Sequence, residues 1–190
     1  EWTYTDENGN SSTQTQDVES TDGTTSGRDV ATLPKVTGEC SATIATAPTA
    51  TDNCAGAITA TTSDPLTYNS QGTFTVTWSY DDGNGNTVDQ TQTVIVADVT
   101  PPVPDVAPLA DVTAECEVTS LTAPTATDNC GGTVTVTNDA TLPITAQGTT
   151  VVEWTYTDEN GNSSTQTQDV VITDATAPVP DVATLPNVTG

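Results

Sequence analysis

The chain has 190 residues, with 26 acids against two bases, Arg28 and Lys35, and no histidine, so its net charge is −24. That balance excludes nucleic-acid binding, where affinity comes from cations on phosphates, and attachment to an anionic membrane surface. It favours an atmosphere of metal cations and serves solubility; no apolar run reaches the length of a membrane span, and no signal peptide is visible.

The first eighteen residues, EWTYTDENGNSSTQTQDV, recur at 153–170. Trp2, Trp78 and Trp154 stand 76 residues apart, and so do Cys40 with Cys116 and Cys54 with Cys130. A fixed period of this size means one structural unit copied in tandem, and such arrays set length, stiffness or valency. The period divides the chain into 1–22, the C-terminal part of one repeat; 23–98 and 99–174, two full repeats; and 175–190, the start of another. The chain therefore reads as an excerpt, and its end pieces are expected to be ordered only where further chain completes them. A unit of this size buries a modest core, and small domains often need staples.

Taken in chain order, residues 23–28 open the first full repeat without the prolines of its later counterpart, Val99-Thr100-Pro101-Pro102-Val103-Pro104. The later linker is stiff and extended, and the earlier one is expected to bend more. In the first repeat Phe74, Val76, Trp78 and Tyr80 alternate along one strand. In the second, a short edge strand over Val103–Val106 precedes a strand over Asp111–Glu117, a Pro-containing loop over Val118–Gly132, a strand over Thr133–Thr137 and a short one at Leu142–Ile144. Thr149–Thr157 alternates with a period of two, placing Val152, Trp154 and Tyr156 on one face. Asp158-Glu159-Asn160-Gly161-Asn162 then carries the Asn-Gly hairpin signal, and Ser163–Thr173 returns as a strand. No stretch shows a helical apolar stripe. The expectation is all-β: tandem immunoglobulin-like antiparallel β-sandwich repeats of 76 residues. The tryptophans are core by this parity rather than platforms for carbohydrate.

Four cysteines form two sequence pairs, Cys40 with Cys54 and Cys116 with Cys130, each fourteen residues apart. Recurrence with the repeat predicts a disulfide within each unit and an oxidising, extracellular setting. Such a loop stabilises by about 3 kcal/mol in the chain-entropy model. Buried free thiols are the alternative, and zinc a weaker one, because His and Cys-x-x-Cys are missing.

Asp98–Pro102, Cys116, Ala123–Cys130 and Gly148–Asn162 together form a pattern that resembles the hyalin-type, or HYR-like, repeat. The resemblance covers both full repeats and the end pieces. It implies immunoglobulin-like sandwiches in adhesive extracellular proteins. Thr-rich, acidic, near-identical arrays of this kind look like stalks of giant bacterial surface adhesins, the flavobacterial gliding adhesins among them. The resemblance supports a stalk more than an adhesive tip.

In such a sandwich the linker, the Asp-Asn-Cys loop and the last hairpin share one end. That would gather Asp98, Asp128, Asn129, Asp158, Asn160 and Asn162, and in the preceding repeat Asp22, Asp52, Asn53, Asp82, Asn84 and Asn86. Calcium takes six to eight such oxygens, so these are the candidate ligands. Asn-Gly-Asn and Asp-Asn also serve as plain turns. The loops are not EF-hands: Ser163 stands where Gly is required counting from Asp158, and Thr93 where Glu is required counting from Asp82.

Catalysis is not expected. There is no histidine base, Lys35 has no visible partner, and Asp81-Asp82 is an adjacent pair on a turn rather than a glycosidase pair. The Thr-x-Thr run at 133–137 reads as solvent face rather than an ice-binding ladder. Asn10, Asn162 and Asn187 lie in glycosylation sequons.

The sequence thus reads as a structural stalk or spacer of a bacterial cell-surface adhesin or filament, its junctions rigidified by calcium. Its partners would be neighbouring repeats, other copies in a filament, and surface glycans reached through other parts. The alternatives are a glycan- or matrix-binding module and a self-assembling filament subunit.

Overall fold

Period-two alternation rich in Thr and Val folds as strand throughout, and there is no helix among the described residues. The structure, a computed structural model, describes residues 1–181. The Asn187 sequon and most of the 175–190 piece lie outside the described residues.

The first strands, β1 (Trp2–Thr5) and β2 (Ser11–Gln14), pair as an antiparallel hairpin, Trp2 opposite Gln14. The first full repeat contributes β3 (Gly27–Arg28), β4 (Val36–Gly38), β5 (Ala42–Thr43), β6 (Thr49–Asp52), β7 (Gly56–Thr59), β8 (Thr67–Tyr68), β9 (Gly72–Asp81) and β10 (Thr87–Val96). These assemble in the orders β4-β10-β9, β3-β6-β7 and β5-β8. The second repeat contributes β11 (Val103–Pro104), β12 (Val112–Ala114), β13 (Ala126–Thr127), β14 (Thr135–Asn138), β15 (Gly148–Thr157) and β16 (Ser163–Ile172). They form a four-stranded sheet, β12-β16-β15-β14, and a two-stranded one, β11-β13, with an isolated bridge between Val118 and Ile144. This is the expected immunoglobulin-like sandwich architecture.

The chain divides into two compact units. The first comprises 1–37, 42–68 and 73–95; the second takes 38–41, 69–72 and everything from Val96 onward. In the second unit Val152, Trp154 and Tyr156 of β15 and Val170 and Ile172 of β16 are essentially inaccessible and pack with Val118 and Ile144. Val151, on the opposite face of β15, is 58 % exposed. In the first unit Val76, Trp78, Tyr80 and Val94 are buried in the same parity.

The tryptophan and tyrosine polar tips need partners once buried. Trp154 Nε1 donates to Gln168 Oε1 at 3.0 Å and Tyr156 Oη to Gln166 Oε1 at 2.9 Å. The same glutamines donate to the backbone carbonyls of Ala110 and Val106. Gln92 and Gln90 do the same for Trp78 and Tyr80. The two glutamines of each Gln-Thr-Gln run thus turn inward, tying a strand to the chain 58 to 60 residues away.

Two expectations need correction. The stretch Val118–Gly132 is not all loop: Ala126–Thr127 pairs with Val103–Pro104 because the extended proline linker offers an edge. The cysteines do not pair within each repeat. Cys40 bonds to Cys130, 90 residues away, while Cys54 and Cys116 are free and exposed. Cys40 lies beside the Asp-Asn-Cys loop of the following repeat, where its neighbour Glu39 accepts from Asn129 and Thr100.

Candidate functional site: the acidic joint

The last hairpin of each repeat is built by one aspartate. Asp158 Oδ1 accepts the backbone N–H groups of Asn160 and Asn162 at 2.8 and 2.9 Å, and Oδ2 accepts Asn162 Nδ2 at 2.9 Å. Gly161 takes the positive φ of 91° that this turn requires. Asp82 binds Asn84 and Asn86 in the same way, and so does Asp6 with Asn8 and Asn10. The Asp6 copy is exposed. The Asp and two Asn of each hairpin are therefore committed first to the turn.

The asparagine that closes the turn also reaches the linker. In the second unit Asn162 Nδ2 donates to the Asp98 carbonyl at 3.2 Å and Asn160 Nδ2 to Asp98 Oδ2 at 3.2 Å. In the first unit Asn86 Nδ2 donates to the Asp22 carbonyl at 3.2 Å. These donors set the acidity of the hairpin. The Asn86 side chain above all, against burial, holds the Asp82 carboxyl below its ordinary value. For Asp158 burial pushes upward, but the Asn162, Asn160 and Gly161 donors outweigh it and the carboxyl is again lowered.

The second element is the Asp-Asn-Cys loop. Asp128 Oδ1 accepts the Cys130 N–H at 2.9 Å, and Asp52 Oδ1 accepts those of Cys54 and Ala55 at 2.8 and 2.9 Å. Their other oxygens, Asp128 Oδ2 and Asp52 Oδ2, are buried with no hydrogen-bond partner, and so is Asp22 Oδ2. Asp128 is 7 % and Asp52 5 % exposed. A buried carboxylate oxygen without a donor is costly.

The linker aspartates complete the arrangement. Carboxylate atoms of Asp98 and Asp128 and the Cys130 sulfur lie within 4.8 Å of one another, as do those of Asp22 and Asp52 with Cys54. Asp98 is fixed by its own N–H, which donates to Gln71 Oε1 at 2.9 Å, and by Thr100 N–H on Oδ1 at 3.1 Å. Asp22 is held by Thr24, whose backbone and hydroxyl donors lower its carboxyl despite burial and the charge of Asp82. Asn129 does not turn toward the carboxylates; its Nδ2 donates to Glu39 Oε2 at 2.8 Å beside Cys40. Asn53 Oδ1 instead accepts the Thr24 hydroxyl. The structure thus brings together linker, loop and hairpin in each unit.

Donor chemistry selects among metals. Cys130 is oxidised and contributes no thiolate, which leaves Asp98 and Asp128 carboxylates as a hard oxygen set. Hard oxygens suit calcium and not zinc.

A model of the HYR-like domain with four cysteines matches residues 28–96 and again 102–173. The chain belongs to the HYR-like family. Each matched stretch carries two cysteines, half the number in the family's description. The chain is also similar to hyalin of Strongylocentrotus purpuratus, 39 % identical over 157 residues that take in 76 % of this chain and 13 % of hyalin. The chain thus spans a small part of that relative's length.

Several residues of this HYR-like joint lie outside the linker, loop and hairpin motifs that the sequence singles out: Glu39, Gln71 and Thr100, with Glu115, Gln147 and Thr176 one period later. Thr100 Oγ1 donates to Glu39 Oε2 at 2.8 Å, and Gln71 Nε2 to the Glu39 carbonyl at 2.8 Å. Their recurrence at the spacing of the cysteines was the available signal.

Proposed function

We propose that this chain is a structural spacer within an extracellular surface protein, a run of HYR-like sandwiches in the manner of a bacterial adhesin stalk, whose joints are stiffened by calcium. The observation that carries the reading is the pair of buried, unpartnered carboxylate oxygens, Asp52 Oδ2 and Asp128 Oδ2, each beside a linker aspartate. The Cys40–Cys130 disulfide supports an oxidising, extracellular setting, and the likeness to hyalin supports an adhesion-type role. In each unit the linker is already clipped to the hairpin by Asn86 or Asn162. Calcium would add a tie from the linker carboxylate to the loop carboxylate and remove their repulsion. The burial of Trp78 and Trp154 disfavours a glycan-stacking module.

Extracellular calcium sites bind at about 0.1–1 mM, and a hundredfold excess over that constant stabilises by about 2.7 kcal/mol. The test is thermal unfolding and small-angle scattering of the whole chain with calcium and with chelator, alongside Asp128→Asn and Asp52→Asn. Calcium should raise the melting temperature and stiffen the chain. The double substitution should abolish both responses. Melting and scattering profiles indifferent to calcium would overturn the reading.

A further inference from the structure

The last hairpin of each full repeat carries an Asn-Gly pair at its tip, Asn84-Gly85 in the first and Asn160-Gly161 in the second. The pair is chemically reactive, because glycine has no side chain to shield its backbone nitrogen from the asparagine amide. In the second repeat both reacting groups are occupied. Gly161 N–H donates to the Asp158 carbonyl at 3.4 Å, and Asn160 Nδ2 donates to Asp98 Oδ2 at 3.2 Å. The preceding residue, Glu159, accepts the Thr133 N–H at 3.0 Å and so ties the tip to the rest of the repeat.

In the first repeat Gly83 stands where Glu159 stands one period later, so that tie has no side chain to make it. Gly83 and Gly85 take positive φ of 79° and 98°, a path that Glu159 does not share, since no residue other than glycine has positive φ. The tip is a run of bends rather than a hydrogen-bonded turn, and Asn84 is exposed. Among the described residues neither the Gly85 N–H nor the Asn84 side chain has a hydrogen-bond partner. Asp22 Oδ2, which corresponds to the acceptor of Asn160, is left unpartnered. The flanking N–H groups are held, Asn84 N–H on Asp82 Oδ1 at 2.7 Å and Asn86 N–H on the same atom at 3.1 Å. The Asn84–Gly85 peptide is a loose link between two fixed ones.

We infer that Asn84 is a site of spontaneous deamidation, a modification that the fold permits at the first hairpin and blocks at the second. The Gly85 nitrogen, its proton lost to hydroxide, bonds to Asn84 Cγ; the Cγ–Nδ2 bond then breaks and ammonia leaves. The cyclic imide so formed takes up water. Opening at Cγ gives aspartate, and opening at the backbone carbonyl gives isoaspartate, whose main chain runs through Cγ. One water is consumed and one ammonia released, with no change in oxidation state. Each event adds a carboxylate to a hairpin whose Asp82 already opposes the charge of Asp22. The isoaspartate form also lengthens the tip by one methylene between two fixed N–H groups. The first joint thereby weakens with age while the second is spared.

The test is incubation of the whole chain in mildly alkaline buffer, native and in urea, followed by chymotryptic digestion and mass spectrometry with electron-transfer fragmentation, which tells isoaspartate from aspartate. Cleavage after Tyr80 and Tyr156 puts the two pairs in separate peptides. In the native chain Asn84 should convert roughly tenfold faster than Asn160, the factor set by a hydrogen bond of ordinary net strength. In urea the two should convert at nearly one rate, because the Asn-Gly pair is the same. Gly83→Glu, which installs the residue found one period later, should bring Asn84 close to the Asn160 rate in the native chain. Three results would overturn the inference: Asn160 keeping pace with Asn84 in the native chain, the native ratio persisting in urea, or Gly83→Glu leaving Asn84 as fast as before.

Discussion

Residues 1–18 and 153–170 are the same sequence in two surroundings. Both fold as the same antiparallel hairpin, with Trp2 opposite Gln14 and Trp154 opposite Gln166. Both make the same aspartate-centred turn. Yet Trp2 is 61 % exposed and Trp154 1 %, and Tyr4 is 58 % exposed and Tyr156 0 %. Local sequence therefore writes the hairpin, while the rest of the repeat supplies the core and the glutamine tethers. Two strands alone are marginal in water, so the first copy should carry little of the stability.

The largest difference should come from the tryptophans. Trp154→Ala removes a fully buried side chain and should cost about 3–5 kcal/mol, whereas exposed Trp2→Ala should stay within about 0.5 kcal/mol. Denaturant unfolding followed by circular dichroism measures both, and equal costs would refute the division. Next come the tethers. Gln168→Ala frees Trp154 Nε1 and the Ala110 carbonyl and should cost about 1–3 kcal/mol. Gln16→Ala, its counterpart in the first copy, should cost nearly nothing in the same assay.

The turn aspartates should give the smallest contrast. Asp6 and Asp158 both have lowered carboxyls, Asp6 mainly through the Asn10 side chain and Asp158 through donors that outweigh burial. A lowered folded-state value gives stability that is complete above the unfolded value of about 3.9 and is lost as pH falls through the folded one. Acidification should therefore lower the melting temperature less in Asp158→Asn than in the unsubstituted chain. Asp6→Asn should follow the unsubstituted chain, because among the described residues its hairpin packs on no core. Melting curves of the three across the acid range decide it.

Alternation made the fold legible: the parity of Val152, Trp154 and Tyr156 in sequence is the parity of burial. The inward glutamines were not legible, because Thr-Gln-Thr-Gln reads as polar on both faces until the aromatic tips that need partners are placed. Strand β13 was hidden because it is only two residues long and closely follows Pro124. The acidic joint was legible as a set, because its residues recur with the period. Its division was not, since only the hydrogen bonds of the three hairpins show that each turn takes its own Asp and Asn. The disulfide pairing could not be read from recurrence at all. The spacing of fourteen occurs twice and that of 90 once, so recurrence favours the pairing that the structure does not use.

Hydrogen exchange resolved to single amides, with calcium and with chelator, probes the joint most directly. The account predicts that in calcium the amides of Asp98, Thr100 and Cys130 slow markedly while those of the 1–18 hairpin exchange fast and unchanged. Linker and loop amides that exchange at one rate with or without calcium would contradict it.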